Sequence, residues 1–165
     1  MQKKKVRVGD WEGDTIIGKN HKGALVTLVE RKTKFTLIAK VERKSADSVT
    51  EAIEYLFEPL KKYVFTLTVD NGKEFANHKQ ISNKLGIQVY FAHPYRSCER
   101  GLNENTNGLI RQYVPKKSSI LVLTLQEISY VMNQLNSRPR KSLNFDTPAN
   151  LFYSCFKLQS VALQT

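Results

Sequence analysis

The chain has 165 residues, enough for one domain with a substantial core, and a hydrophobic fraction of 41%, which argues against disorder. Its 26 Lys and Arg against 15 Asp and Glu give a net charge of +11, which favours a polyanionic partner, nucleic acid before membrane. No apolar run could span a bilayer and the first residues lack a signal-peptide core, so we expect a soluble cytoplasmic protein.

The first predicted strand, residues 9–17, carries three acids on one face. Side chains alternate along a strand, so Asp10, Glu12 and Asp14 point to one side and Trp11 to the other. Three carboxylates side by side repel one another unless a cation or neighbouring Lys and Arg side chains lie among them. Trp11, on the opposite face, is predicted to be a core residue.

The elements that follow predict an α/β fold. Short loops between the first three strands indicate an antiparallel meander, and a helix capped by Ser45 then returns the chain to a fourth strand by a right-handed, parallel crossover. The further predicted strands are 24–29, 35–41, 63–70 and 87–92, and the helices are 45–60, 74–85, 101–114, 124–135 and 147–156. We therefore expect a ribonuclease H-like fold in a single domain over residues 1–165: a five-stranded mixed sheet, three antiparallel strands then two parallel, flanked by helices.

Asp70 ends the fourth predicted strand and heads the turn Asn71-Gly72. The end of a buried strand holds a carboxylate rigidly at the rim of a sheet, where open α/β sheets bind their ligands. An aspartate in such a turn can equally do no more than hydrogen-bond its own backbone. The turn alone therefore leaves both roles open.

Glu104 follows Asp70 after a gap of 33 residues (104 − 70 − 1), in the helix predicted over 101–114. A helical wheel puts Leu102, Thr106, Leu109 and Tyr113 on the packing face. It puts Glu104, Asn107 and Arg111 on the opposite side. Glu104 is therefore predicted to point away from the core, which permits a catalytic role without establishing one.

Cysteine and histidine form no metal-binding pattern. Cys98 and Cys155 are far apart and lack C-x-x-C spacing, so neither a disulfide framework nor a zinc site is indicated. His21, His78 and His93 match no comparable ligand motif. Any metal is therefore expected to be held by oxygen ligands.

Four short motifs in chain order resemble the catalytic core of DDE transposases and retroviral-type integrases, in particular the bacterial insertion-sequence transposases of the IS-thirty family. They are WEGDT at 11–15, DNGKEF at 70–75, HPY at 93–95 and NEN at 103–105. The resemblance covers about residues 9–156. Each motif alone is weak, and their joint occurrence is specific.

The resemblance implies that Asp14, Asp70 and Glu104 are the catalytic, metal-binding triad of a Mg²⁺-dependent (or Mn²⁺-dependent) enzyme that uses two ions. It implies hydrolytic nicking at transposon ends and attack of the freed 3′-hydroxyl on target DNA. Asp10 and Glu12 compete with Asp14 for the role of first acid, and Glu74 is a candidate fourth acid.

The implied partner is double-stranded DNA, both transposon ends and target, bound by a homodimer or higher oligomer near the bacterial nucleoid. The family's N-terminal helix-turn-helix region, which recognises the inverted repeats, is expected to be absent from this chain. We predict DNA contacts, mostly to phosphates, at Lys73, Arg96, Arg100, Asn107, Arg111, Lys116 and Lys117. Tyr95 either stacks on a base or packs beside Pro94.

Two other functions stay open at this point. One is a catalytically silent DNA-binding remnant that keeps the fold and charge of a transposase. The other is a ribonuclease H-type nuclease acting on RNA in hybrids, for which the WEGDT and DNGKEF motifs are poor matches.

Overall fold

A five-stranded mixed sheet forms the centre of the computed structural model, which describes residues 7–93 and 101–162, with side chains as far as residue 157. The strands are β1 Asp10–Ile17, β2 Ala24–Glu30, β3 Thr36–Val41, β4 Thr66–Val69 and β5 Gln88–Phe91. Their order across the sheet is β3-β2-β1-β4-β5. β1 and β3 pair antiparallel with β2, whereas β4 pairs parallel with both β1 and β5. This confirms the predicted three antiparallel strands followed by two parallel ones.

Five α-helices flank the sheet. They are α1 Ala46–Phe57, α2 His78–Leu85, α3 Gly101–Arg111, α4 Leu125–Ser137 and α5 Pro148–Ala162. Ser45 caps α1, and Thr124 forms a reciprocal capping box with Glu127 on α4, as their spacing predicts. In the described parts of the chain, no helix is both long and apolar enough to cross a membrane.

Two predicted elements begin later than expected. Residues 58–63 form a 3-10 helix, so the fourth strand starts at Thr66 instead of at residue 63. The helix predicted over 74–85 is divided into a 3-10 turn over residues 73–75 and α2 from His78. Gly86 ends α2 in the left-handed conformation (φ 66°), as predicted for a glycine stop.

Apolar clusters lie on both faces of the sheet. On the face covered by α1, α2 and α5, Trp11 is fully buried and its ring meets Phe57 and Phe152 edge to face, with centroids 5.1 and 5.7 Å apart. The other cluster contains Ile16, Leu25 and Ile38 of the sheet and is covered by α3 and α4. The prediction that Trp11 is a core residue is confirmed.

Helix α4 covers the outer edge of β3. The Asn136 amide donates to the Thr36 carbonyl and accepts from the Thr36 backbone N–H, both at 2.8 Å. One step along the edge, the Ile38 N–H donates to Met132 Sδ at 3.3 Å. Two side chains of one helix thus satisfy backbone groups that would otherwise face outward.

Asn136→Ala is expected to destabilise the protein by about 2 kcal/mol, because it leaves two buried backbone groups of Thr36 without partners. Urea denaturation followed by far-UV circular dichroism measures the change. Asn133→Ala, on the exposed side of the same helix, is the control and should change stability by less than about 0.5 kcal/mol. Equal stabilities of the two variants would contradict the bridging role of Asn136.

Candidate active site

Asp14 and Asp70 occupy corresponding positions on the neighbouring segments that contain β1 and follow β4. The last recorded pair between these parallel strands is Glu12 with Thr68. Two residues further along the chain are Asp14, within β1, and Asp70, directly after β4, so a continuation of this register directs both side chains to one face of the sheet. At the start of the same two strands, Thr66 Oγ1 donates to Asp10 Oδ1 at 2.8 Å, so these two side chains lie on one face of the sheet. The register thus gives two of the three predicted catalytic acids corresponding positions on neighbouring strands.

Helix α3 lies across β1 and holds Asp14. The Asn107 side chain donates to Asp14 Oδ2 at 2.8 Å, and the Thr15 backbone N–H donates to Asp14 Oδ1 at 2.8 Å. Asn103 Nδ2 reaches the Gly13 carbonyl at 3.5 Å, and Arg111 Nη2 donates to the Ile17 carbonyl at 3.0 Å. Spacings of four residues align these three helical side chains along the strand.

The predicted packing face of this helix was incomplete: Thr106, Leu109 and Tyr113 do pack inward, but polar residues of the predicted outer side face the sheet as well. Asn103, Thr106 and Ile110 are the buried residues of α3, whereas Asn107 and Arg111 face the sheet and not the opposite side. The wheel weighted apolar residues, and the contact with β1 is made by amide and guanidinium groups that bond backbone and carboxylate oxygens. Burial lowers the pKa of Arg111 from its ordinary value.

Glu104 lies one helical turn before Asn107, on the exposed side of α3. Residues three apart on a helix have Cβ atoms about 5–6 Å apart, so Glu104 is the helical neighbour of the residue that contacts Asp14. Among residues 7–93 and 101–157, no three His, Cys, Asp or Glu side chains are arranged closely enough to hold a metal ion. The metal triad of Asp14, Asp70 and Glu104 therefore stays a prediction.

The turn after Asp70 is closely packed. The Gly72 N–H donates to Asp70 Oδ1 at 2.9 Å, which is the turn hydrogen bond that the sequence left open as an alternative role. This bond uses one carboxylate oxygen and does not exclude ligand binding by the other. A Cβ on Gly72 would collide with the Glu74 carboxylate and lie 2.8 Å from Asp70 Oδ1, so a larger residue here would displace these two carboxylates.

Glu74, the candidate fourth acid, joins the turn to β1 from the opposite face of the sheet. Its side chain is only 7% exposed, and its Oε1 accepts from Thr15 Oγ1 at 3.1 Å and pairs with Lys44 Nζ at 2.8 Å. Asp14 precedes Thr15 in the chain. Glu74 therefore links the segments that carry the two aspartates, and these contacts favour a positioning role over metal binding.

Asp10 and Glu12, the alternatives to Asp14 as the first acid of the triad, each pair with an arginine. Asp10 pairs with Arg7 Nε at 3.2 Å, and the buried Glu12 pairs with Arg31 Nε at 3.2 Å. Arginine side chains thus relieve the repulsion expected between the acids of β1, and Asp14 accepts a hydrogen bond from the Asn107 amide. Sequence reasoning missed the pairing of Glu12 with Arg31 and that of Lys44 with Glu74, because the partners are distant in the chain.

The predicted DNA contacts fall into three groups. Lys73, Lys116 and Lys117 are exposed. Asn107 and Arg111 are half-buried and bonded within the fold. Arg96 and Arg100 lie outside the described residues, as does Tyr95.

Comparison with known proteins relates the chain to integrases and transposases. The integrase core domain family matches residues 7–97. The chain is 48% identical over 158 residues to the transposase of insertion sequence element IS4351 from Bacteroides fragilis, covering 96% of this chain and 48% of that protein. It is 42% identical over 145 residues to transposase InsI of element IS30A from Escherichia coli K12, covering 87% and 38%. The chain thus spans about half the length, or less, of these curated relatives.

A solved structure shares the fold. The catalytic core domain of HTLV-2 integrase, determined in complex with magnesium in a trimeric form, superposes with a TM-score of 0.68 at 18% sequence identity, covering 88% of this chain and 97% of that one. The predicted ribonuclease H-like fold is thereby confirmed.

Proposed function

This chain belongs to the integrase core domain family, and from that premise we propose that it is the catalytic core of an insertion-sequence transposase. Water would displace the 3′-oxygen from phosphorus at a transposon end, leaving a 3′-hydroxyl and a 5′-phosphate. The freed 3′-hydroxyl would then attack the phosphorus of a target phosphodiester and displace the 3′-oxygen of the target strand. The observation that carries the proposal is the register of β1 with β4, which directs Asp14 and Asp70 to one face at one edge of the sheet.

The acids fit a divalent cation by their chemistry. Asp14, Asp70 and Glu104 would hold Mg²⁺ or Mn²⁺, because these ions prefer carboxylate oxygens, and three acids from separate elements leave positions for water and phosphate. Two such ions, when bound, stabilise the entering and leaving oxygens of an in-line displacement. The magnesium complex of the HTLV-2 integrase core supports this choice of cation.

The chain's own residues would hold the acids in place. Asn107 and the Thr15 N–H fix both oxygens of Asp14, and the Gly72 N–H fixes one oxygen of Asp70. Asp10 and Glu12 are engaged by arginines, and Asp14 is the acid of β1 whose register places it level with Asp70. This supports Asp14 as the first acid of the triad.

Positive charge around the acids supports duplex DNA as the substrate. Lys73 follows Asp70 by three residues, and Lys116 and Lys117 follow α3; all three are exposed and suited to phosphates. Asn107 and Arg111 would reach DNA only by giving up their contacts with Asp14 and Ile17. We further propose that the protein acts on transposon ends and target as a multimer assembled on DNA, in the bacterial cytoplasm with the nucleoid.

The test is metal-dependent nicking of end-labelled and supercoiled DNA by the chain, which does not require recognition of a particular end. With Mg²⁺ or Mn²⁺ we expect new 3′-hydroxyl ends, and with EDTA none, because the acids need the cation to act on phosphate. Salt-sensitive binding without cleavage in either metal would support the silent remnant instead. Cleavage of RNA within a hybrid, with DNA left intact, would support a ribonuclease H-type nuclease.

A further inference from the structure

A basic groove lies on the same edge of the sheet as the candidate catalytic acids. Because β3 runs parallel to β1 and β4, the carboxyl ends of all three strands meet at one edge. The segment after β3 and the β1–β2 turn enclose a groove of about 620 Å³ there. Its charged lining residues are His21, Lys22, Lys40, Glu42, Arg43 and Lys44.

Two of these cations are available to a ligand. Lys44 is paired with the buried Glu74, and Lys40 Nζ donates to the carbonyls of Leu121 and Leu123 at 3.2 and 2.7 Å. Lys22 and Arg43 are exposed, and neither forms an ion pair within the described residues. The groove therefore presents a lysine and an arginine that can both meet phosphate oxygens.

The backbone holds the groove in a fixed shape. Gly18 N–H donates to the Gly23 carbonyl at 3.0 Å, and Gly23 N–H donates to the Glu42 carbonyl at 3.1 Å. The turn between β1 and β2 is thus tied to the residue just before Arg43. Within that turn His21 adopts a φ of 57°, a conformation that side chains usually avoid and that the surrounding bonds maintain.

The groove's distance from the acids suits a DNA backbone. Arg43 lies two inter-strand steps from Asp14, about 10 Å across the sheet, and five residues beyond Ile38, the residue of β3 level with Asp14, or about 16 Å along it. The combined distance of about 19 Å corresponds to about six base-pair rises of B-DNA. The Lys44–Glu74 ion pair lies between the two regions, because Glu74 also contacts Thr15 next to Asp14.

We propose that the groove lined by Lys22 and Arg43 binds the phosphate backbone of duplex DNA about six base pairs from the phosphate held at the acids. The proposal rests on the proposed function, since it concerns the same substrate. The proposal gives the β1–β2 turn and the segment after β3 a part in DNA binding. None of the DNA contacts predicted from the sequence lies in these two segments.

The test compares two double variants with equal loss of charge. K22Q/R43Q changes the groove, and K32Q/K62Q removes two exposed lysines from the opposite edge of the sheet, one in the β2–β3 turn and one before β4. Binding of a labelled duplex is measured in EDTA across a series of salt concentrations, which separates affinity from cleavage. Circular dichroism checks that both variants are folded.

Two lost phosphate contacts should reduce the slope of log K against log salt concentration by about 1.8 in K22Q/R43Q, and affinity at low salt should fall by about tenfold or more. K32Q/K62Q should keep the slope of the unsubstituted chain. Equal slopes for the two variants would contradict DNA binding by the groove and leave the proposed function intact. If a structured RNA competed better than duplex DNA at equal salt concentration, the groove would be assigned to RNA. The proposal of a DNA-binding groove would then be wrong. Absence of duplex binding by the unsubstituted chain would overturn both proposals.

Discussion

Glu104→Gln is expected to reduce metal-dependent nicking by about a thousandfold while duplex binding in EDTA stays within about twofold. The substitution keeps the size of the side chain and removes the charge with which it would hold a cation. Because Glu104 is exposed, the fold should lose less than about 0.5 kcal/mol. Nicking of supercoiled DNA in Mg²⁺ and in Mn²⁺, measured beside duplex binding, separates catalysis from affinity.

Glu51→Gln is the matched control, since it makes the same chemical change at an exposed position of α1. Nicking by this variant should equal that of the unsubstituted chain. If Glu104→Gln nicked as fast as Glu51→Gln, Glu104 would not be the third acid. If both variants lost activity together, the effect would follow from net charge and not from the site.

Phe152→Ala is expected to destabilise the protein by about 3–5 kcal/mol, a large part of the stability of a domain this size. Phe152 of α5 is fully buried, stacks on Phe35 with centroids 4.1 Å apart, and meets Trp11 edge to face at 5.7 Å. Its removal leaves a cavity among rigid aromatic rings that cannot easily close around it. Urea denaturation followed by tryptophan fluorescence is suitable, since Trp11 lies beside the change.

Tyr55→Ala is the control for this prediction. Tyr55 is 77% exposed on α1, so loss of its ring should change stability by less than about 0.5 kcal/mol. A loss below about 1 kcal/mol in Phe152→Ala would mean that α5 contributes little to the core and that the sheet and the other helices are stable without it.

Elements whose formation depends on local chemistry could be predicted from the sequence. Alternation along β1 assigned Trp11 to the core, and the caps at Ser45 and Thr124 located the starts of two helices. Each of these features depends on residues within a few positions of one another, so the pattern and its physical cause lie in the same short segment. The strand pairing followed because short loops and one crossover helix leave few topologies.

Helix α3 shows where such reasoning fails. Asn103 and Asn107 look like solvent-facing residues on a wheel, but they bond the Gly13 carbonyl and the Asp14 carboxylate. The four-residue spacing of Asn103, Asn107 and Arg111 was visible as a polar stripe. What it could contact depended on β1, about ninety residues earlier in the chain, which no local pattern includes.

The motifs nominated the acids of the candidate site but not the contacts around them. They singled out Asp14 and Asp70, and the strand register gives these residues corresponding positions on neighbouring strands. The pairing of Glu74 with Lys44 joins residues thirty positions apart, and sequence order does not show which of many lysines a buried carboxylate will select. Long-range ion pairs are decided by packing, which only the folded chain displays.

Because α4 packs on the outer edge of β3, a strand of another polypeptide cannot readily pair with the sheet at that edge. Asn136 and Met132 occupy outward amides of β3, so an incoming strand finds those hydrogen-bonding positions already taken. At the other end, β5 has no partner on its outer side within the described residues. Strand addition from a neighbouring molecule would therefore meet β5, beside the strand that ends at Val69, one residue before Asp70.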